Sequence, residues 1–404
     1  MENSILHMDL DTFFVSCERL LNPKLAKKPV LVGGTGDRGI VSACSYEARP
    51  FGIHSGMAMK LARRLCPEAI CIKGNSQIYL TYSDMVTEII KEEVPFYEKS
   101  SVDEFYADLT GMDRFFGTYK FAKELRCKIM EHTGLPISFG LSKNKIVSKV
   151  ATGEAKPNNQ MLIDYGREKD FLSPLAIRKI PMVGKTSASI LRELGVYLVK
   201  ELQEMPLEVV MSVMGKNGRT IWERANGIDN RPLVQYRERE SISTGRTYDR
   251  DTIDMAKVRA TLMAMGEKVC YQLRLGQKVT SCISVHLRYA DFTNVSKQCR
   301  LPYTSADHII IPKIMELFDR LYDRRLLIRK VGIGASHLTG GHYQIDLFDD
   351  NSKRLELYRS MDHIRNRFGP AAVMRACTMD VKSVRSNRNP FNGEPPVVLA
   401  HRKE

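Results

Sequence analysis

Three acidic residues carry the chemistry for which this chain is best equipped. Asp103 and Glu104 stand side by side in Ser101-Val102-Asp103-Glu104, at the start of the run Phe105-Tyr106-Ala107, which reads as a β-strand. Neighbours on a straight strand point to opposite faces, so both carboxylates serve one site only where the chain turns. Asp9, in Met8-Asp9-Leu10-Asp11, closes a second apolar run, Ile5-Leu6-His7-Met8. Two acid-tipped strand ends brought together can hold divalent cations between them, as two-metal phosphoryl transfer requires. Either pair alone reads more readily as acids capping surface turns.

Cationic groups that suit phosphate lie elsewhere in the first half. Tyr46 and Arg49 are three residues apart in Ser45-Tyr46-Glu47-Ala48-Arg49, on one face of a helical turn, and a guanidinium binds phosphate oxygens in pairs. Lys156, beside Pro157, can present an ammonium to the same group. Solvated side chains on surface turns explain these three residues as well. Further on, the glycine-bearing turn Val183-Gly184-Lys185 sits between short helices expected over 174–179 and 186–194. Such a turn can aim backbone N–H groups at a DNA phosphate without reading sequence, and a plain helix–turn–helix with no ligand is the alternative.

The elements that must position these groups follow from periodicity. Strands are expected at 5–8, 29–34, 39–45 and 137–142, with helices starting near 12 and covering 77–96, 118–132 and 143–151. That β–α–β flow implies a mixed sheet with helices packed on it. From about 170 the pattern is helical, and Trp222 reads as a core residue of a helix over 218–226. Residues 232–243 are polar and charged and read as a tether. Beyond them a helix (255–275), an alternating strand (280–289), a helix (312–327) and a strand (328–338) make a separate small domain. An amphipathic helix is expected within 353–379, and the tail from Ser383 is rich in Asn, Pro, Arg and Lys. No internal repeat stands out.

Composition narrows the class. A length of 404 residues suggests two to four domains, and 43% apolar content is ample for folded cores. No apolar run reaches the roughly 18 residues that a membrane span needs, and the start, Met1-Glu2-Asn3-Ser4, lacks a secretory pattern. Nine cysteines at scattered spacings, with no C-x-x-C pair, fit free thiols in a cytoplasmic protein. The net charge of +14 points to a polyanion. Half of that excess lies in residues 237–341, where 18 Lys and Arg face 11 Asp and Glu, so the separate small domain is a basic patch suited to a duplex backbone.

Taken together, Met8-Asp9-Leu10-Asp11-Thr12-Phe13-Phe14, Ser45-Tyr46-Glu47-Ala48-Arg49, Ser101-Val102-Asp103-Glu104, and Gly140-Leu141-Ser142-Lys143-Asn144-Lys145 with Ala155-Lys156-Pro157 resemble the Y-family, translesion DNA polymerases, nearest their polymerase IV branch. The resemblance runs from residue 5 to about 380. It implies an α+β multidomain, right-hand fold. The palm would take 1–10 and 77–166, the fingers 11–76 and the thumb 167–232. A linker at 233–240 and a little finger at 241–340 would follow, with residues 341–404 holding a clamp-binding peptide, a helix and a tail.

Carried over by position, Asp9, Asp103 and Glu104, with the Leu10 carbonyl, would hold two Mg²⁺ ions, for which Mn²⁺ can substitute. Asp11 matches an acid that is not a principal ligand. Phe13, Phe14, Arg38, Ser42, Tyr46, Arg49 and Lys156 would face the incoming dNTP, with Phe14 as the steric gate against a ribose 2′-hydroxyl. Val183, Gly184 and Lys185 would touch DNA, although Met182 stands where the family turn commonly has glycine. Gln344, Leu347 and Phe348 of Gln344-Ile345-Asp346-Leu347-Phe348 resemble a sliding-clamp peptide, which alone is a weak signal. The implied enzyme is a DNA-directed DNA polymerase, probing pair geometry poorly and without proofreading. It would act as a monomer on primer–template DNA, with no membrane partner, near the nucleoid. A palm-type cyclase or two-metal nuclease leaves the basic domain and clamp peptide unexplained, and a non-catalytic clamp-tethered binder has no need of the three acids. Replacing Gln344, Leu347 and Phe348 by Ala is expected to abolish stimulation of synthesis by a sliding clamp while sparing synthesis without it, as read in primer extension with and without the clamp.

Overall fold

In the computed structural model, described for residues 3–112, 117–341, 352–379 and 381, the chain forms two units divided between Arg237 and Glu238. The peptide Gln344–Phe348 lies outside the described residues.

The first unit opens with β1 (Ile5–Leu10) and α1 (Phe13–Leu21). A small sheet follows, with β2 (Val30–Gly33) between β3 (Val41–Cys44) and β4 (Ile70–Ile72); α2 (Met59–Leu65) intervenes in sequence. Then come α3 (Ser76–Glu93), the hairpin of β5 (Tyr97–Lys99) and β6 (Glu104–Asp108), α4 (Thr118–Thr133), β7 (Ile137–Ser142), α5 (Lys145–Ala155) and β8 (Gln160–Leu162). β1 is the centre of a five-stranded sheet in the order β5-β6-β1-β7-β8.

Alternation along β1 sorts its side chains between two layers. Leu6, Met8 and Leu10 are buried with Val86 and Ile90 of α3 and Leu125 and Ile129 of α4. Ile5, His7 and Asp9 face α5 instead. The Ser148 hydroxyl donates to the Ile5 carbonyl at 2.7 Å, Thr152 Oγ1 lies 2.8 Å from His7 Nδ1, and Lys156, just past the helix, pairs with Asp9. Four residues of helix advance about 6 Å and two of strand about 6.7 Å, so the two repeats run nearly in step. Close approach is possible because Gly140 of β7 lies under the helix: a Cβ there would meet the Ser148 carbonyl oxygen at 2.3 Å and the Thr152 nitrogen at 2.6 Å.

The helical region comprises α6 (Glu168–Leu172), α7 (Lys185–Glu193), α8 (Val199–Glu204) and α9 (Leu207–Ala225). Its core is continuous with Val147, Val150 and Ala151 of α5, and Trp222 packs against it. The helix expected over 174–179 is only a 3₁₀ turn at Ile177–Lys179, because Ala176 bridges to Leu198 in extended conformation.

The second unit holds β9 (Ser241–Thr252), α10 (Met255–Leu275), β10 (Lys278–Tyr289), β11 (Asn294–Thr304), α11 (Asp307–Leu321), β12 (Ile328–Gly340) and α12 (Ser352–Phe368). Its sheet runs β11-β10-β12-β9. Ile283, Val285 and Leu287 alternate into a core with α10 and α11, while Ser284, His286 and Arg288 alternate to the opposite face. The helix expected to begin at Pro312 begins at Asp307 and ends at Leu321. Proline favours a first turn, but here it sits inside the helix at the loss of one backbone hydrogen bond. Among the described residues no helix is long and apolar enough to cross a membrane.

Candidate active site

Register and a serine-built turn bring the acids together. Asp9 pairs with Glu104 across β1 and β6. Asp103 lies in the turn that closes the β5–β6 hairpin, which resolves how adjacent carboxylates can address one site. The Ser101 hydroxyl oxygen accepts from the N–H groups of Asp103 at 3.2 Å and Glu104 at 2.9 Å, and its own proton goes to the Asp103 carboxylate. The Leu10 N–H donates to the Asp103 carbonyl at 3.0 Å, tying the turn to the end of β1.

Two lysines, Lys149 on α5 and Lys156 at its C-cap, balance these acids. Lys156 is bonded to Asp9 and lies 3.6 Å from Asp11, and Lys149 Nζ is 2.5 Å from Glu104 Oε2. Burial pushes the Asp9 carboxyl up to about 7; Lys156 opposes this, while Glu104 and Asp103 add to it. Asp103 is raised as well, chiefly by burial and against the Ser101 bond. In this arrangement no three carboxylates converge at metal-ligand distance among the described residues. The donor set nevertheless suits a hard divalent cation: the oxygens are carboxylate, and the ionised forms of Asp9 and Asp103 are disfavoured until more positive charge arrives.

Asp11, which matches no principal ligand, proves to be the hub of the site. It is 1% exposed. Its carboxylate accepts from the Ser138 hydroxyl at 2.8 Å, the Asn158 N–H at 2.5 Å and the Tyr46 hydroxyl at 3.4 Å, beside the Lys156 contact. Its backbone is fixed too: its N–H donates to Pro136 and its carbonyl accepts from Ser16 at 2.7 Å. These bonds hold Thr12 at φ +44°, a left-handed conformation that β-branched residues seldom adopt. Sequence reasoning missed Asp11 as an organiser, and Lys149, Ser101 and Ser138 altogether. The available signal was spacing: Asp9 and Asp11 share a strand face, and Lys149 and Lys156 lie seven apart on one helical side.

The remaining expected residues divide between the site and its surroundings. Tyr46 and Arg49 share a 3₁₀ segment (Tyr46–Phe51), with the Arg49 guanidinium 4.2 Å over the Tyr46 ring. The Tyr46 hydroxyl is held protonated, its pKa raised by burial and by Asp11. Arg49 is exposed, and Ser42 points outward from β3, so both can meet a ligand; Arg38 lies in the turn before that strand. Phe14 is half-buried and stacks on Tyr79 at 4.5 Å, and Tyr79 in turn donates to Glu18 at 2.5 Å. Phe13, 3% exposed, faces the core, so only its backbone is available to a nucleotide.

In the 180–185 turn, the N–H groups of Val183 and Gly184 donate to Ile180 at 3.0 Å and Met182 at 3.1 Å. Lys185 opens α7 with no side-chain cap, so the free donors for a phosphate begin there and not at Val183. Met182 keeps the glycine-like backbone at φ +79°, with its side chain out in solvent.

Acid-tipped antiparallel strands backed by lysines, joined in one chain to a basic α/β unit, are the parts that a polymerase-type nucleotidyl-transfer centre calls for. The fold agrees: a solved Y-family DNA polymerase chimera superposes with a TM-score of 0.73 at 24% identity, covering 84% of this chain and 100% of that one. Models of the impB/mucB/samB family and of its C-terminal domain match residues 8–153 and 239–347. Among curated relatives, a DNA polymerase IV of Dehalococcoides mccartyi is 35% identical over 94% of this chain and 98% of its own. DNA polymerase IV of Streptococcus agalactiae is 36% identical over 85% and 96%, and that of Treponema denticola 32% over 91% and 95%. The chain therefore belongs to the impB/mucB/samB family, within the Y-family of polymerases.

Asp11→Ala removes the acceptor of three donors at once. It is expected to cost about 2–3 kcal/mol of stability, the scale of buried donors left unpaired. By freeing Tyr46 and Lys156 it should also raise the dNTP KM at least tenfold; urea unfolding and steady-state kinetics check the two effects.

Proposed function

We propose that this DNA-directed DNA polymerase extends a primer 3′-hydroxyl with dNTPs by two-metal nucleotidyl transfer, tolerating damaged templates and lacking proofreading. The observation that carries the reading is the Asp11 hub. One buried carboxylate fixes Tyr46 and Lys156 beside the strand ends that carry Asp9, Asp103 and Glu104. The phenol and the ammonium read as a triphosphate grip are thus joined through Asp11 and Asp9 to the acids read as metal ligands, a connection a nuclease does not need.

Asp9, Asp103 and Glu104, with the Leu10 carbonyl, would hold two Mg²⁺ ions, or Mn²⁺ in their place. Bound there, the cations supply Lewis-acid activation of the 3′-hydroxyl and charge compensation for the triphosphate. Lys149 keeps one Glu104 oxygen engaged and so orients the other. Tyr46, Arg49 and Lys156 grip the phosphates, Arg49 by paired N–H bonds. Phe14, braced by Tyr79, fills the space where a ribose 2′-hydroxyl would lie. Ser42 and its small neighbours on β3 leave the roof over the nascent pair open, which favours lesion bypass over geometric checking. The five-stranded sheet serves as palm, the small sheet and α2 as fingers, and the helical region as thumb. The second unit binds duplex through its open sheet face, and Gln344, Leu347 and Phe348 bind a sliding clamp.

Primer extension with Mg²⁺ and dNTPs tests the reading. Asp103→Ala should reduce extension by at least 10³-fold, the order of loss expected for a transition-state charge partner; undiminished synthesis would remove the metal assignment. Phe14→Ala should admit ribonucleotides with dNTP incorporation largely kept, and unchanged sugar discrimination would show that another residue is the gate.

A further inference from the structure

Glu98 is a buried carboxylate for which the transfer chemistry has no use. It lies on β5, 6% exposed, and accepts from Lys145 Nζ at 2.6 Å and from the Val234 N–H at 2.8 Å. Arg237 approaches its other oxygen at 3.5 Å. Beside it Leu233, 8% exposed, packs with Ile5 and Tyr106 in a separate apolar cluster, and Gln235 Nε2 donates to the Pro95 carbonyl at 3.3 Å. Upstream, the Asn144 side chain holds the Gly227 carbonyl at 2.7 Å. Every one of these contacts lies within the first unit, and together they fix a stretch that polarity alone marks as free tether.

A buried ion pair is weak evidence for stability, because desolvation offsets most of the attraction. A shape-matched apolar pair would fill the space between β5 and α5 as well. What Glu98 adds is an acceptor for a passing backbone: Val234 has no strand partner, and without Glu98 its N–H would lie beside an apolar cluster unpaired. The position of the captured segment is telling, since β9 of the second unit begins at Ser241.

We propose that Glu98, with Lys145 and the Leu233 cluster, is a tether anchor. By fixing residues 233–235 to the sheet it leaves 236–240 as the span to the second unit, and so raises that unit's effective concentration at a duplex already held by the first. This rests on the reading of the second unit as duplex-binding. Effective concentration falls roughly as the −3/2 power of tether length. Freeing 233–235 lengthens the span from 236–240 to 233–240 and should therefore weaken duplex binding about twofold, with no loss at the reacting atoms.

The test uses the full chain and a fluorescent primer–template duplex. Leu233→Ser breaks the anchor from the tether side and leaves the buried Glu98–Lys145 pair intact. Hydrogen exchange at the Val234 amide should be slow in the parent chain and fast in Leu233→Ser. The duplex Kd should rise about twofold, while kcat at saturating duplex and the melting temperature of the first unit hold. Three results would overturn the proposal: fast Val234 exchange in the parent, an unchanged Kd once that amide is released, or a parallel fall of kcat and melting temperature, which marks a packing contact only. Arg288→Glu with Lys330→Glu, register partners across β10 and β12 on the open sheet face, controls the underlying reading and should lose duplex affinity. If it does not, the duplex-binding role and the anchor's purpose fall together, recognisable because Val234 protection persists.

Discussion

The site depends on concentrating negative charge in a buried place at one end of a sheet. Asp9, Asp11, Asp103 and Glu104 gather where β1 and the β5–β6 hairpin end, and the raised carboxyl pKa of Asp9 and Asp103 records how unfavourable that is. The compensating cations must come from a rigid element, since long side chains on loops would lose too much rotamer freedom in holding position. α5 is that element. Its face repeats every four residues in near step with alternate residues of β1, so Ser148, Thr152 and Lys156 meet Ile5, His7 and Asp9 in turn. A neighbouring stripe sets Lys145 on Glu98 and Lys149 on Glu104. Gly140 permits the helix to lie this close.

That packing explains why the interface between α5 and the sheet is polar although it is buried. Hydroxyls of Ser148 and Thr152 each satisfy a strand group and the preceding helical turn. A wholly apolar interface would bury as much surface but would offer the acids no partners. The proposed chemistry gains from the same trade. Lysines already paired with acids make the site tolerable before cations and triphosphate arrive, and flexible ammonium groups can shift from carboxylate to phosphate with little change elsewhere.

Much of this was legible in the residues. The adjacent acids demanded a turn, and a turn is there. The longer strands and helices through residue 155 follow apolar periodicity, because each shows a face to a core, whereas α2 and the three-residue strands β4, β5 and β8 are too short to show a period. Less legible was anything set by polar burial. Asp11 looked like one more surface acid, since nothing in its local sequence says that Ser138 and Asn158, more than a hundred residues on, close over it. Phe13 and Phe14 are chemically alike, and only the packing of α1 sends one to the core and leaves the other beside Tyr79.

The same blindness applies to the segment before the basic unit. Composition marks 232–243 as a charged tether, and its charges are indeed mostly in solvent. Capture depends on one leucine, one backbone N–H and an acid 136 residues away in sequence, a pattern with no period to detect. Charge content reports whether a segment can stay in water; it does not report whether a distant acceptor has been built for its backbone. Where a chain passes from one unit to another, the length that matters mechanically is set by such acceptors and not by the polar run itself.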